Sequence, residues 1–322
     1  MQDCGAVAMG TLLRAVAAVF CSVIAAVGGA AAGDGPGSRA VAAAAGGGRP
    51  LVIGRVTTNP RKDFEQYKVF GDYLASRLGG VGIAGAQVRF ARDHAELAGL
   101  LRAGKVDVVA EAVFAALDLA ETAGAELLLR EWRGGVPTHH AILFARKDSV
   151  VASLADLAGR TVAFEDPGSA TSYVLPRAAL EAAGHRLAEL PAGAPAVPPG
   201  TVGYVFAGEE INVTTWVQKR RVDAGALGDG DWDNPERVPP AAREELRVFH
   251  HTDPVPRSVL LVRGDLPRPV KDRIVEVLVA AHADPEARAA LERYRGVTRY
   301  DELTGEAAAG VEAARRVAAA LR

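Results

Sequence analysis

The sequence predicts an α/β protein made of two similar lobes, each a mostly parallel sheet flanked by helices. Short apolar runs alternate with amphipathic helical patterns through residues 51–122, and a similar alternation returns after His139. Residues 105–108 (KVDV) and 221–224 (RVDA) repeat one local pattern, once in each half. Because strands that alternate with helices pair in parallel through right-handed crossovers, this order favours one parallel sheet per half.

In the first half, each predicted strand runs into a helix, and the first two helices have start signals. Asn59 and Pro60 supply an N-cap and a first-turn proline. Asp93 and Glu96 have the spacing of a capping box. The predicted strands are residues 51–56, 87–91 and 106–110, and the predicted helices are residues 60–78, 93–104 and 113–122.

The second half repeats this alternation and ends in helices. Proline and glycine cluster at residues 191–200 and predict a long surface loop. The predicted strands are residues 141–146, 161–165, 202–206, 222–227 and 258–263, and the predicted helices are residues 153–158, 211–220, 270–282, 285–294 and 302–321.

Composition limits the class of ligand. The chain has 322 residues, 49% of them hydrophobic and 24% charged, which is enough for one large core or two smaller ones. A net charge of -2 without a block of lysine and arginine argues against binding to nucleic acid or to an acidic membrane surface. A site for an anion would therefore have to be local.

Residues 1–32 have the pattern of a signal peptide. Arg14 precedes an apolar run at residues 15–27, and small residues follow up to Ala32, where we expect cleavage. An uncleaved membrane anchor is the alternative. Export predicts a periplasmic location for the mature protein.

Both cysteines, Cys4 and Cys21, lie inside the predicted signal peptide. The mature chain would therefore have no disulfide, no thiolate nucleophile and no metal site built on cysteine. Residues 33–49 are rich in glycine and alanine and predict a flexible leader.

The turn after the strand at residues 161–165 carries the strongest indication of function. Ser169, Thr171 and Ser172 open a helical pattern that ends near Gly184. At a helix start, free N–H groups, hydroxyls and the positive end of the helix dipole can bind an oxyanion without a metal. Capping of the helix is the alternative role for these hydroxyls.

The central part of the chain resembles the phosphate/phosphite/phosphonate-binding (PhnD-like) family of solute-binding proteins. The resemblance rests on residues 146–149 (RKDS), 153–159 (SLADLAG) and 166–173 (DPGSATSY) with Pro176. It extends over residues 51–303.

The resemblance implies a type II periplasmic-binding-protein-like fold, with lobe I at residues 50–138 and 256–322 and lobe II at residues 139–255. It implies a receptor of an ABC importer that binds a small oxyanion (phosphonate, phosphite or phosphate) between the lobes and delivers it to a membrane permease. Such a receptor is not an enzyme. We expect a monomer without cofactor.

The family's anion-binding hydroxyls map to Ser169, Thr171, Ser172 and the amides around Ala170. Ala170 stands where the family has threonine, and Ser172 stands where it has glycine. The hydroxyl pattern is thus shifted by one residue, while the amides are kept.

Glu210 departs from the family, many members of which have a histidine before the asparagine that matches Asn212. A carboxylate repels an oxyanion unless an amine or a proton lies between them. If Glu210 lines the cleft, the ligand would carry a cationic group, as aminoalkylphosphonates do. A solvated acidic turn with Glu209 is the alternative. Asp223 and Asp231 are expected to follow the strand at residues 222–227 and could also recognise an amine, and a cap or turn is their alternative role.

In lobe I, Thr57 and Phe114 are the candidate ligand contacts. Thr57 follows the first strand, and Phe114 belongs to a turn at residues 111–114 that resembles the family's cleft-lining turn. A hydrogen bond from Thr57 and stacking on Phe114 are the functional roles, and a turn and the core are the structural ones.

His140 matches the histidine of a Tyr-His pair that the family often has where the lobes join, and His139 takes the place of the tyrosine. Adjacent residues on an extended chain point to opposite faces, so the two histidines are poor joint metal ligands. We predict no metal site.

Two other functions share this fold. One is a periplasmic sensor subunit that presents its ligand-bound form to a signalling partner. The other is a transferase for thiamine precursors, against which the export signal and the cysteine-free mature chain argue. The sequence has neither a Gly-x-Ser-x-Gly elbow nor a P-loop pattern.

Overall fold

The computed structural model of the protein describes residues 48–191 and 196–322. The predicted signal peptide lies outside these residues, as does the predicted leader except for residues 48 and 49. Arg49 already begins the first strand. In the described part of the chain, no helix is both long and apolar enough to cross a membrane.

The first part of the chain alternates strands and helices as predicted. The Asn59 side chain accepts a hydrogen bond from the Lys62 N–H (3.3 Å), and Asp93 accepts one from the Glu96 N–H (2.8 Å), so both predicted caps are present. The last strand of this part was not predicted. The elements are β1 (Arg49–Val56), α1 (Pro60–Ser76), β2 (Ile83–Ala91), α2 (His94–Arg102), β3 (Val108–Glu111), α3 (Val113–Ala123) and β4 (Glu126–Arg133).

The chain then passes through β5 (Thr138–His139) into a second group of elements and returns through β12 (Val255–Pro256), which pairs antiparallel with β5. A π-helical turn, Ala170–Val174, precedes the first helix of this group. The elements are β6 (Ala141–Arg146), β7 (Thr161–Phe164), α4 (Leu175–Ala182), β8 (Arg186–Glu189), β9 (Thr201–Phe206), α5 (Glu210–Gln218), β10 (Ala224–Gly228), α6 (Asp229–Trp232), α7 (Pro240–Glu245) and β11 (Leu246–His251).

The C-terminal part rejoins the first group. Its elements are β13 (Ser258–Val262), α8 (Arg268–Ala280), α9 (Pro285–Arg293), β14 (Val297–Glu302) and α10 (Gly305–Ala320). The last predicted helix begins three residues later than expected, because residues up to Glu302 pair with β4 as a strand. Helix α10 packs against α3 and β12.

Two six-stranded sheets result, in the orders β14-β4-β13-β3-β1-β2 and β11-β6-β10-β7-β9-β8. We call the part built on the first sheet lobe I and the part built on the second lobe II. The expected predominance of parallel pairing is wrong for lobe I, in which β13 runs antiparallel to both β3 and β4. The reason is topological: β13 enters lobe I from the crossing and so runs opposite to the strands that lead out.

Apolar side chains cover both faces of each sheet. On one face of lobe I, Phe70 of α1 stacks on Tyr294 with ring centroids 4.1 Å apart, and Tyr67 meets the same ring edge-on. On the other face, Leu97 of α2 and Leu119 of α3 are fully buried. Since both faces are covered, only the ends of the strands remain for polar chemistry.

The repeated sequence pattern is one structural device used in both lobes. Asp107 forms two hydrogen bonds with the backbone of Val52. Its carboxylate accepts from the Val52 N–H at 2.9 Å, and its own N–H donates to the Val52 carbonyl at 2.8 Å. Asp223 does the same with Thr161 at 2.8 and 3.0 Å. Both aspartates precede their strands, so each fastens the amino-terminal end of a parallel pair.

Candidate functional site

The carboxyl ends of the strands from both lobes converge beside the crossing formed by β5 and β12. In open α/β sheets, ligands bind at this edge. Arg55, Thr57 and Glu111 end strands of lobe I, and Glu165 and Asp229 follow strands of lobe II. We call these two groups of strand ends the lobe I edge and the lobe II edge.

The hydroxyl motif lies on the lobe II edge and opens the π-helical turn. Ser169 is its N-cap, and its Oγ accepts from the Ser172 N–H at 3.1 Å. The first N–H groups of the turn, those of Ala170 and Thr171, have no partner within the helix. The motif thus combines a cap with two N–H groups that have no partner in the helix, and the binding of an oxyanion here stays a prediction.

Ser172 has a structural part in this motif. Its Oγ donates to the Ala226 carbonyl at 2.5 Å and accepts from the Glu165 N–H at 2.9 Å. The side chain is 1% exposed and joins the end of β7 to β10. Thr171 is also buried, and a Cβ at residue 228 would come within 2.9 Å of its Oγ1, so only glycine fits there.

Three carboxylates surround this motif with one guanidinium among them. Arg237 forms an ion pair with Asp231 and lies 3.6 Å from Glu210. Burial raises the pKa of Glu165, a hydrogen bond from the Ser169 hydroxyl lowers it, and the charge of Glu210 raises it. Burial also raises the pKa of Asp231; the charge of Arg237 lowers it, and the charge of Glu210 raises it. The lobe II edge is therefore electrostatically unfavourable for an anion alone and favourable for a cation.

The histidines lie where the lobes join. Nδ1 of His140 is 3.3 Å from the Asp229 carboxylate, and its Nε2 is 3.1 Å from Nδ1 of His251. Burial, with the charge of Arg257, lowers the pKa of His139 from 6.5 to about 4. His139 is therefore neutral at pH 7. In the described residues, no group of three or more His, Cys, Asp or Glu side chains could hold a metal ion.

Asp223 lies away from these residues. It stands at the amino-terminal end of β10, where its carboxylate accepts from the Thr161 Oγ1–H at 2.8 Å. The carboxyl end of the same strand, at Gly228, is the one that reaches the hydroxyl motif. The structure thus corrects the expectation that Asp223 follows its strand, and we leave it out of the proposed site.

On the lobe I edge, Glu111 is 6% exposed and lies 3.7 Å from both Arg55 and His94. Glu111 raises the pKa of His94, against the effect of burial. Arg55 Nε, His94 Nε2 and Glu111 Oε1 are all buried without a hydrogen-bond partner among the described residues. Buried polar atoms are normally paired, so this cluster has capacity for a further polar group.

The two candidates that the sequence proposes on this edge have local roles as well. Oγ1 of Thr57 accepts from the Asn59 N–H at 2.9 Å, as in a turn. Phe114 is half-buried and packs against the apolar cluster under α2 and α3. Both residues lie at strand ends of lobe I, and their contact with a ligand stays a prediction.

A second charged network lies within lobe I, where β4 is next to β13 and β14. Glu131 is fully buried and accepts from the Ser258 Oγ–H at 2.5 Å and the Tyr300 O–H at 2.9 Å. Arg295 lies 3.7 Å from it and donates to the Ala110 carbonyl at 2.8 Å. Arg133 is beside this network, and burial together with Arg295 and Arg257 lowers its pKa.

Several of these residues escape sequence reasoning for identifiable reasons. Glu165 ends a predicted strand next to the hydroxyl motif, and that position alone could have indicated it. Arg133 and Glu131 lie on β4, which the sequence pattern does not reveal. Arg237 follows α6 in an irregular segment, where no periodic signal exists.

A family model described as "ABC transporter, phosphonate, periplasmic substrate-binding protein" matches residues 53–307. The phosphonates-binding periplasmic protein of Escherichia coli (strain K12) is 23% identical over 251 residues, which are 76% of this chain and 70% of that protein.

Two solved structures are also similar to this chain. The Xanthomonas citri protein XAC2383 bound to ATP is 33% identical with a TM-score of 0.72, over 84% of this chain and 99% of that one. PhnD1 from Prochlorococcus marinus (MIT 9301) in complex with methylphosphonate is 14% identical with a TM-score of 0.55, over 85% and 98% of the two chains. At that identity the second likeness concerns the fold alone.

Proposed function

The chain belongs to the family of phosphonate-binding periplasmic substrate-binding proteins of ABC transporters, and we propose that its ligand is a phosphonate that also carries an ammonium group. Family membership implies a small-molecule ligand, a membrane permease as partner and a location outside the cytoplasm. It favours the importer receptor over the sensor and transferase alternatives. The observation that carries our proposal is the acidic surrounding of the hydroxyl motif.

The anionic end of the ligand is assigned to the start of the π-helical turn. The amides of Ala170 and Thr171 lack partners within the helix, and the Ser169 hydroxyl lies at the same end. Backbone donors and the helix dipole bind a phosphonate without requiring a cationic side chain.

The cationic end of the ligand is assigned to the acidic group on the same edge. Glu165, Glu210 and Asp231 lie around the guanidinium of Arg237. An ammonium group bound among them would lower the raised pKa values of Glu165 and Asp231, because an opposite charge favours the ionised carboxylate. A phosphonate without an amine would bring only repulsion to these groups.

The receptor would work by closing its lobes on the ligand without chemical change. The chain crosses between the sheets at β5 and β12, and two such crossings make a hinge. A ligand that contacts both edges binds the closed form more tightly than the open form and so increases its population. We further propose a monomer, a signal peptide cleaved near Ala32, and no binding to nucleic acid.

The test is a thermal-shift and calorimetric screen of residues 33–322 against 2-aminoethylphosphonate, methylphosphonate, phosphate, phosphite, sulfate, taurine and ATP. A ligand that binds only the folded protein raises its melting temperature. We expect 2-aminoethylphosphonate to give the largest shift. A larger shift with methylphosphonate or phosphate would refute the amine assignment, and a shift with ATP alone would make this chain resemble the Xanthomonas protein in its ligand.

The anion assignment is tested by a double variant, Ser169→Ala with Thr171→Ala. We expect loss of phosphonate binding with about 1 to 2 kcal/mol lost in the free energy of unfolding, as for a cap. Ser153→Ala is the matched control, because Ser153 precedes a 3-10 turn and bonds only Asp156 at 2.9 Å. Unchanged affinity in the double variant would remove the hydroxyl motif from the site.

A further inference from the structure

Two arginines flank the crossing on the lobe I side and have no part in the site described so far. Arg133 is the last residue of β4, and its N–H donates to the Val136 carbonyl at 3.2 Å. Arg257 stands between β12 and β13, and its N–H donates to the Pro137 carbonyl at 3.2 Å. Their backbones are therefore held side by side where the chain leaves and re-enters lobe I.

Neither side chain has a counter-charge. Within residues 48–191 and 196–322, neither Arg133 nor Arg257 forms an ion pair, whereas nearby Arg130 is paired with Asp301 and lies 3.4 Å from Glu306. Arg133 is half-buried, and its Nε makes one long hydrogen bond, 3.4 Å, to the Arg295 carbonyl. A partly desolvated guanidinium without a carboxylate is costly unless something else supplies the negative charge.

The environment of Arg133 is positive. Arg295 and Arg257 both lower its pKa, and the nearby carboxylate, Glu131, is already used by Ser258 and Tyr300. Arg295 is itself committed to Glu131 and to the Ala110 carbonyl. An anion arriving here would therefore meet donors that are not already occupied by the fold.

Arg257 also interacts electrostatically with groups beyond lobe I. The charge of Arg257 lowers the pKa of Asp231 and that of His139. Arg257 is thus near enough to act both on Arg133 in lobe I and on Asp231 in lobe II.

We propose that Arg133 and Arg257 bind the oxyanion of the ligand from lobe I, opposite the amides that bind it from lobe II. Guanidinium groups suit this purpose, because their planar donors match phosphonate oxygens and stay charged. The inference rests on the proposed function and adds positive charge opposite a lobe II edge where carboxylates outnumber the one guanidinium of Arg237. The ligand then lies with its oxyanion toward the crossing and its ammonium group toward Glu210.

The experiment compares Arg133→Gln, Arg257→Gln and Arg89→Gln by calorimetry with methylphosphonate and 2-aminoethylphosphonate. Arg89 is the matched control, an exposed arginine of edge strand β2 that forms no ion pair among the described residues. We expect each of the first two variants to bind both ligands at least tenfold more weakly than wild type, and the control to bind both with unchanged affinity. Thermal melts without ligand confirm that the variants are folded.

The outcomes separate the two proposals. Wild-type protein that binds no phosphonate contradicts the proposed function itself. A second result is that the wild-type protein binds phosphonate while both arginine variants have dissociation constants within twofold of the wild-type values. That result overturns the arginine assignment and leaves the proposed function standing. Arg257→Asp is also combined with Asp231→Arg. If the second change restores the ligand affinity that the first change removes, Arg257 acts as a contact between the lobes and its assignment to the ligand is wrong.

Discussion

The lobe I side and the lobe II side of the crossing differ in charge and are stabilised in different ways. On the lobe I side of the crossing lie Arg133 and Arg257, whereas the lobe II edge has Glu165, Glu210 and Asp231 with one arginine, Arg237. A ligand that bridges the lobes therefore meets a change of sign. The difference favours a dipolar ligand over a simple anion, and it also favours closure, since opposite edges attract.

The edges also differ in burial. On lobe I, Glu131 is fully buried and its partner Arg295 is 9% exposed, so the charges are fixed by a dry hydrogen-bonded network. On lobe II, Asp231 is 23% and Arg237 40% exposed, so water screens their attraction. The same kind of substitution should therefore change the free energy of unfolding more in lobe I than in lobe II.

The largest expected effect is on the buried pair. Glu131→Gln leaves Arg295 without a counter-charge inside lobe I, and we expect a loss of about 3 to 5 kcal/mol in the free energy of unfolding. The matched change on lobe II, Asp231→Asn, should cost at most about 1 kcal/mol, because its partner is exposed. Urea unfolding of both variants measures the difference. Equal losses would show that the contrast between the edges is not one of burial.

An intermediate effect is expected at the crossing, from His139. Its folded pKa, about 4, lies below the usual 6.5, so the unfolded chain binds more protons between these values. The stability from neutral His139 is complete above pH 6.5 and is lost as the pH falls toward 4, by on the order of 3 kcal/mol. His139→Gln should remove this part of the pH dependence of urea unfolding. The exposed His282 provides the control, and a slope in His139→Gln as steep as in wild type would contradict the assignment.

The smallest expected effect is on the acidic group itself. Glu210→Gln removes a like charge and should lower the pKa of both Glu165 and Asp231, as followed by carboxyl ¹³C NMR. The variant should bind 2-aminoethylphosphonate about tenfold more weakly, which is a loss of about 1.4 kcal/mol in binding free energy. Its affinity for methylphosphonate should not fall. Glu209→Gln is the control, because its exposed side chain lies one residue away. Equal weakening of both phosphonates in Glu210→Gln would place Glu210 at the anion instead of the amine.

Sequence reasoning succeeds where the signal is local. The strands at residues 51–56 and 161–165, the caps Asn59 and Asp93, and the pattern repeated at Asp107 and Asp223 are found where the sequence predicts them. Each depends on neighbours a few residues away. The same locality explains the error at Asp223, since a strand pattern does not state which end of the strand faces the other lobe.

The sequence by itself determined the α/β class, the two-lobed order and the family, because periodicity, caps and the hydroxyl motif are encoded in consecutive residues. The tertiary structure alone decided the charges of the two edges. Arg133 and Arg257 are 124 positions apart and come near each other because β4 pairs with β13 and β5 pairs with β12. Likewise, Glu165 and Asp231 share an environment only because β7 and β10 are adjacent strands. Coulomb interactions depend on distance and burial, and both are fixed only when the chain has folded.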